Sequence, residues 1–395
     1  MKAYLMHSDK KIDPFGDHPG DCLIGNRKLR HIQESTLKGL GIPIERVPAA
    51  AEIKDEDEHI VLTDSLFFTG ELMEEFIVKS RVDGGSTVCS LKPCVATTRS
   101  VVAAQDVSVR PERIEFGLHY VPPAHRRTEH EHPLIIDADR TESLPMPEHM
   151  TGSTGGYHLP MTAKLIVQVD HWTNLWGANI GSLLAEAARL LAASKMRQLG
   201  LALKARSLNP WKVMQQTNKI GRNCDIHPTA YIEGSTIGDN VVIGAKTTVR
   251  QSVVGDGTYL GDNSTVHISV LGEGCNLQSG SLTEFCVLYP GVCSNDRVIA
   301  ISMVGRDCFI AGNVIFTNFR LDKKNIMIKK GSDLIDSGNV FLGSCVGHNV
   351  YLGAGCVIAP GRTIPNGTRL APEETHVIRN CIDGKEVPGY RRVQA

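Results

Sequence analysis

Between Ile226 and Leu277, aliphatic residues recur at Ile226, Ile232, Ile237, Ile243, Val249, Val254, Leu260, Val266, Leu271 and Leu277, in steps of 6, 5, 6, 6, 5, 6, 6, 5 and 6. Three steps make a 17-residue period cut into short runs. A helix needs apolar positions every three or four residues and a half-buried strand every second one, so neither fits. The pattern predicts a left-handed parallel β-helix: each run is one strand, each anchor points inward, and three runs close a coil. Gly238, Gly244, Gly255, Gly261 and Gly272 each follow an anchor, where a tight corner excludes larger residues. Such coils are stable only when stacked.

After Leu277 the beat blurs between Leu282 and Ile301, resumes at Val304 and Ile310, and breaks again across Asn313 to Lys330. A last set of anchors, Val346, Leu352, Ile358, Ile364 and Leu370, runs at an even six. About eight coils at roughly 4.8 Å each give a prism on the order of 40 Å tall. The two breaks are where chemistry is expected, because regular coils carry little besides structure.

Residues 1–182 read as an α/β domain. Arg30 to Gly41 is a helix ending in Gly, Ile42 to Val47 is extended, and Ile60 to Leu62 is a buried strand running into Asp64. Leu72 to Lys79 is a further helix. Pro145 to Gly156 is a loop placed to lie over a cleft. From Leu183 to Ala205 a helical stripe of Leu183, Leu184, Ala187, Ala188, Leu191, Met196, Leu199 and Leu203 predicts a core-facing connector, 183–219. The prism then takes 220–372 and a tail 373–395.

Composition narrows the partners. With 42 basic and 43 acidic residues in 395, the net charge of -1 gives no support to nucleic-acid or membrane-surface binding. Eleven cysteines lack framework spacing, and Cys275, Cys308 and Cys356 sit four residues after an anchor, which predicts buried thiols in a reducing cytosol. Met1 to Lys11 lacks a signal peptide's apolar run, and no stretch reaches the roughly 18 apolar residues of a span. A soluble, cytoplasmic protein is expected. The run His125-Arg126-Arg127-Thr128-Glu129-His130-Glu131-His132 matches no standard zinc spacing and reads as a solvated loop, so no metal site is assigned.

Several segments resemble one family. Val61-Leu62-Thr63-Asp64-Ser65-Leu66-Phe67 is similar to the strand that ends in a metal-binding Asp in sugar-phosphate nucleotidyltransferases. His171-Trp172-Thr173-Asn174-Leu175-Trp176-Gly177-Ala178-Asn179 is similar to their Pro-Trp-Asp-Leu-Leu-x-Ala-Asn segment. In the prism, Ser302 to Asn313 leads into Val314-Ile315-Phe316-Thr317-Asn318-Phe319-Arg320-Leu321-Asp322-Lys323-Lys324. That run resembles the T-A-N-L-R-x-D-x-K segment of bifunctional sugar-1-phosphate nucleotidyltransferase/acetyltransferases, and Gly347 to Gly361 is similar to their closing coils.

The resemblance implies a nucleotidyltransferase-like N-terminal domain in which Asp64 meets substrate, with Mg²⁺ only if nucleotidyl transfer is retained. That domain is degenerate: the family's Gly-rich phosphate loop is missing from Met1 to Arg30, where Gly16, Gly20 and Gly25 are scattered with no strand directly before them. Thr173 or Asn174 also stands for the family's second Asp. For the prism, the resemblance implies a homotrimer whose loop lines a site shared between subunits, where acetyl-CoA acetylates a sugar amine. Asn318 and Arg320 would contact the sugar phosphate, Asp322 of the same signature would bind substrate, and Lys323, Lys324, Lys329 or Lys330 would meet the CoA phosphates.

Amine acetylation needs a general base, which the family supplies as a His shortly before the Ser-x-Val-Gly segment. The window Ser294 to Ile301 holds none. His267, His348 and Glu284 are the remaining candidates. Three readings follow: an acyl-CoA-dependent acyltransferase on a sugar phosphate or nucleotide sugar; a sugar-1-phosphate nucleotidyltransferase; or a non-catalytic, trimeric sugar-nucleotide-binding scaffold.

Overall fold

The computed structural model describes residues 1–53, 56–94, 104–128, 130–138, 141–144, 157–192 and 195–373. The loop 145–156 and the tail beyond 373 lie outside the described residues. In the N-terminal domain, β1 (Lys2–Met6), β2 (Ile44–Val47), β3 (His59–Thr63), β4 (Thr87–Leu91), β5 (Arg113–Val121) and β6 (His132–Ile136) form a mixed sheet in the order β6-β4-β5-β3-β1-β2. The short strand Ser108–Arg110 pairs with β5. β1 lies parallel to β2 and β3, and β5 runs antiparallel to β3 and β4. Ala3, Leu5, Ile60 and Leu62 are buried, as central strands require. Helix α1 (Leu29–Gly39) buries Leu29, Gln33 and Leu37, one face at four-residue spacing. Helix α2 (Gly70–Asp83) stops at Gly84, whose φ of 81° is the left-handed cap that glycine adopts freely. Strand β1 ends at Met6, well before Gly16, and of the three glycines Gly25 directly follows a strand, the short Leu23–Ile24 of a hairpin with Arg27–Lys28.

The C-terminal half is a left-handed parallel β-helix whose faces are stacked sheets of eight, eight and five strands. Between Lys219 and Ser294 each strand pairs in register with the one 17 residues on, as Ile243 does with Leu260. A Cβ at Gly238 or Gly244 would lie 2.7 Å from the backbone N of Asp256 or Asp262 on the next coil. Close stacking, rather than an unusual torsion, is therefore what excludes a side chain there. Cys275 and Cys308 are buried as expected, and burial pushes their thiols up to about 12 and about 11.

The coil does not break between Leu282 and Ile301. Leu282 pairs with Val298, one residue short of the usual period, and Thr283 and Ser294 point inward, each 1 % exposed. Two polar residues in aliphatic positions had blurred the pattern. The true interruption runs from Phe316 to Cys345 and contains the hairpin Met327–Lys330/Asp333–Asp336.

The two halves share a core. Helix α3 (Trp172–Leu191) starts well before the expected connector, capped by His171, whose ring accepts from the N–H of Thr173. Its Trp172, Leu175 and Trp176 join Phe15 and Ile24, prism residues Val270, Val287, Tyr289, Met303 and Cys345, and Ile326 and Ile328 of the insertion in one apolar cluster. Helices α4 (Lys195–Ala205) and α5 (Pro210–Gln215) follow. Here the predicted core-facing stripe divides: Leu184, Ala187 and Ala188 are buried, but Met196, Leu199 and Leu203 are 84 %, 57 % and 69 % exposed. Among the described residues, no helix is long and apolar enough to cross a membrane.

Candidate active site

One face of the prism is built from the three-residue strands Tyr231–Glu233, Thr248–Arg250, Thr265–His267, Leu282–Glu284 and Val298–Ala300. The middle residue of each points inward, as strand alternation requires, so the third faces outward at the prism corner. Parallel register stacks these third residues into one column: Glu233, Arg250, His267, Glu284, Ala300. His267 Nδ1 lies 3.1 Å from Glu284 Oε1, with both side chains partly open to solvent. The hydrogen bond from His267 outweighs partial burial and holds the Glu284 carboxyl below its usual range. Arg250 lies 3.5 Å from buried Glu233, and its guanidinium stacks on Trp211 at 5.0 Å. With Nδ1–H donated to Glu284, the His267 imidazole keeps the Nε2 lone pair for a substrate proton. The window expected to contain the base contributes Ala300 to this same column, so the nearest ionisable groups along it are Glu284 and then His267.

The insertion leaves the prism at the same corner, directly beyond Ala300. The N–H of Gly343 donates to Ile301 O at 2.9 Å, and a Cβ on Gly343 would lie 2.6 Å from Ala300 O. Asn318 accepts from Leu342 N through its carbonyl at 3.0 Å, and Phe319 stacks on Phe341. Arg320 is engaged in a two-point pair with Asp322, at 2.9 and 2.5 Å, which pulls the Asp322 carboxyl down to about 2. Lys323 and Lys324 are exposed. Lys329 offers its carbonyl to His171 Nε2 at 3.0 Å, while Lys330 Nζ lies 2.6 Å from Asp106 of the N-terminal domain. Asp106 also binds Lys10, whose ammonium reaches Asp170. The insertion docks in part on the N-terminal domain, through Ile326, Ile328 and Lys330.

His348 sits elsewhere, in the joint between the halves. Its Nδ1 accepts from the N–H of Arg306 at 2.9 Å, and its Nε2 is 3.3 Å from Asp17 Oδ2. Phe15 stacks on its ring at 4.9 Å, and only 7 % of the residue is exposed. Asp17 also pairs with Arg306 at 2.6 Å. Both ring nitrogens are thus occupied within the chain.

Asp64 lies in a cleft of about 510 Å³ at the ends of β1, β2 and β3, lined by His7, His18, Asp21, Arg30 and Arg46 among others. Both its carboxylate oxygens are committed: Oδ2 to His7 Nδ1 at 2.7 Å and Oδ1 to the N–H of Ser8 at 3.0 Å. Among the described residues no group of three or more His, Cys, Asp or Glu side chains is arranged to hold a metal ion. His7 was missed in the sequence; a His directly after a strand carries no signal until the fold sets it against Asp64.

Residues 207–292 match the family model described as the GMPPB C-terminal domain. The chain is 32 % identical over 74 residues to the putative uncharacterized acetyltransferase YaiX of Escherichia coli strain K12, covering 19 % of this chain and 32 % of that protein. It is 33 % identical over 86 residues to the uncharacterized acetyltransferase YaiX of Escherichia coli O6:K15:H31 (strain 536 / UPEC), covering 22 % and 37 %. The chain thus spans about a third of the length of these curated relatives. The crystal structure of LpxA, a UDP-N-acetylglucosamine acyltransferase from Bacteroides fragilis 9343, matches 39 % of this chain and 63 % of its own at 18 % identity, with a TM-score of 0.20.

Proposed function

We propose that the protein is an acyltransferase that moves an acyl group, acetyl in the first instance, from acyl-CoA to an amine or hydroxyl on a phosphorylated or nucleotide-linked sugar. The observation that carries this reading is the His267–Glu284 pair at 3.1 Å on an open prism corner beside the insertion. His267 Nε2 takes the proton of the attacking amine or hydroxyl as its heteroatom bonds to the thioester carbonyl carbon. The tetrahedral intermediate then expels the CoA sulfur, which takes the proton back from the imidazolium. Glu284 orients the ring and stabilises its cationic form. Asn318 and Arg320 serve the sugar phosphate, with Asp322 orienting the Arg320 guanidinium. With Lys330 held by Asp106, the exposed Lys323, Lys324 and Lys329 are the cations left for CoA. A homotrimer would set this corner against the face of a neighbouring prism, and its location would be cytoplasmic.

The test is CoA release, followed with a thiol reagent, from acetyl-CoA and a panel of amino-sugar phosphates and nucleotide sugars. Turnover that falls steeply in His267→Ala supports the reading. Silence across the panel, or full activity in the variant, removes it. The Asp64 cleft favours a second reading for the N-terminal domain, in which it binds a sugar nucleotide without turnover. Pyrophosphate release from a nucleoside triphosphate and a sugar-1-phosphate would instead restore nucleotidyl transfer.

A further inference from the structure

Among the described residues, helix α4 carries an apolar face with nothing over it. Met196, Leu199 and Leu203 fall at helical spacing on one side and are 84 %, 57 % and 69 % exposed. The surface continues through Leu208, 87 % exposed, to Trp211 of α5, 55 % exposed. From Lys195 to Met214 the chain holds Lys195, Arg197, Lys204, Arg206 and Lys212 and not one Asp or Glu. In a protein of net charge -1, this is a strong local asymmetry. Helical spacing sets Lys204 beside the apolar face.

An exposed apolar helix face can be covered by a second copy, by another protein or by lipid. A second copy would bring five cations against five like cations, which opposes self-docking. A bilayer surface with anionic headgroups matches both features. Leucines and methionine enter the acyl boundary, flanking lysines and arginines reach the phosphates, and an indole suits the interface. We infer that α4 and α5 dock this protein on the surface of a membrane containing anionic lipid, as an interfacial element that does not span it. The docked surface adjoins the His267 corner, since Trp211 stacks under Arg250 and Arg250 pairs in register with His267. The inference stands on this patch alone, independently of acyl transfer.

The experiment is co-sedimentation of the full chain with vesicles of equal parts phosphatidylglycerol and phosphatidylcholine, against pure phosphatidylcholine, at low and high salt. Binding to the anionic vesicles that weakens with salt is expected. The Leu199→Gln/Leu203→Gln variant should bind about tenfold more weakly, and Lys204→Gln/Arg206→Gln should lose most of the salt dependence. Circular dichroism and the oligomeric state of each variant control for folding. Absence of binding at low salt, or binding that neither pair of substitutions alters, overturns the inference. So does a change of oligomeric state in Leu199→Gln/Leu203→Gln with vesicles ignored, which would assign the patch to a second copy.

Discussion

Two histidine–carboxylate pairs lie on the same prism and have opposite surroundings. His267 and Glu284 sit on adjacent coils, 3.1 Å apart, with both side chains partly open to solvent. His348 meets Asp17 at 3.3 Å under Phe15, with Arg306 on its other nitrogen. Chemically the pairs are alike. What separates them is the face each occupies: the N-terminal domain covers the face that holds Val270, Val287, Met303 and Cys345, and leaves the corner of His267 open. A side chain's role on a repeat scaffold is thus decided by what lies over its coil.

The largest expected effect tests that contrast directly. If acyl transfer is observed, His267→Ala should lower kcat about 100-fold or more, as removal of a general base does, with an unchanged melting temperature. His348→Ala should do the reverse, keeping kcat and losing stability. Equal loss of kcat in both variants would break the comparison.

A second prediction concerns the joint alone. Burial depresses His171 to about 4, so the folded chain holds it neutral where the unfolded chain would protonate it. Because the unfolded state binds more protons over that window, stability should fall from about pH 6.5 down to about 4, by roughly 3 kcal/mol at most. Thermal unfolding across this range should show the fall, and His171→Gln should flatten it. An equally steep curve in the variant would refute the assignment.

Asp17 should have a smaller effect. Burial raises its carboxyl, but hydrogen bonds from His348 and Arg306 outweigh that and hold it below the usual range. Its contribution is therefore present above the ordinary aspartate range and lost as pH falls through and below it. Asp17→Asn should cost about 1–3 kcal/mol in denaturant unfolding at neutral pH. No cost would mean that stacking of Phe15 holds the joint unaided. The smallest effect is expected of Glu284→Gln, which keeps the hydrogen bond but removes the charge that favours imidazolium. It should reduce kcat by about tenfold and shift the pH–rate profile, while His267→Ala/Glu284→Gln should be no worse than His267→Ala.

The prism was legible because its signal is periodic. Anchors every five or six residues, and glycines where coils approach, come from repeating contacts between sequence neighbours. Even there, Thr283 and Ser294 concealed two regular turns, since a hydroxyl can fill an inward position that the pattern reserves for carbon. The N-terminal elements were readable for similar local reasons: the stripe on α1 and the strand before Asp64. His267 and Glu284 could be named as candidates. Their pairing followed only from a register that sets residues 17 apart side by side.

The sequence by itself determined the repeating coils, the aliphatic residues that anchor them, and that an insertion interrupts them after Ile310. Tertiary structure alone decided which faces are covered. It buried His348, tied Asp64 to His7 and Lys330 to Asp106, and left the α4 stripe bare although its pattern is that of a core helix. Periodicity records only that a side chain has an apolar neighbour or needs one. The identity of that neighbour depends on long-range packing between the two halves, which no local spacing encodes.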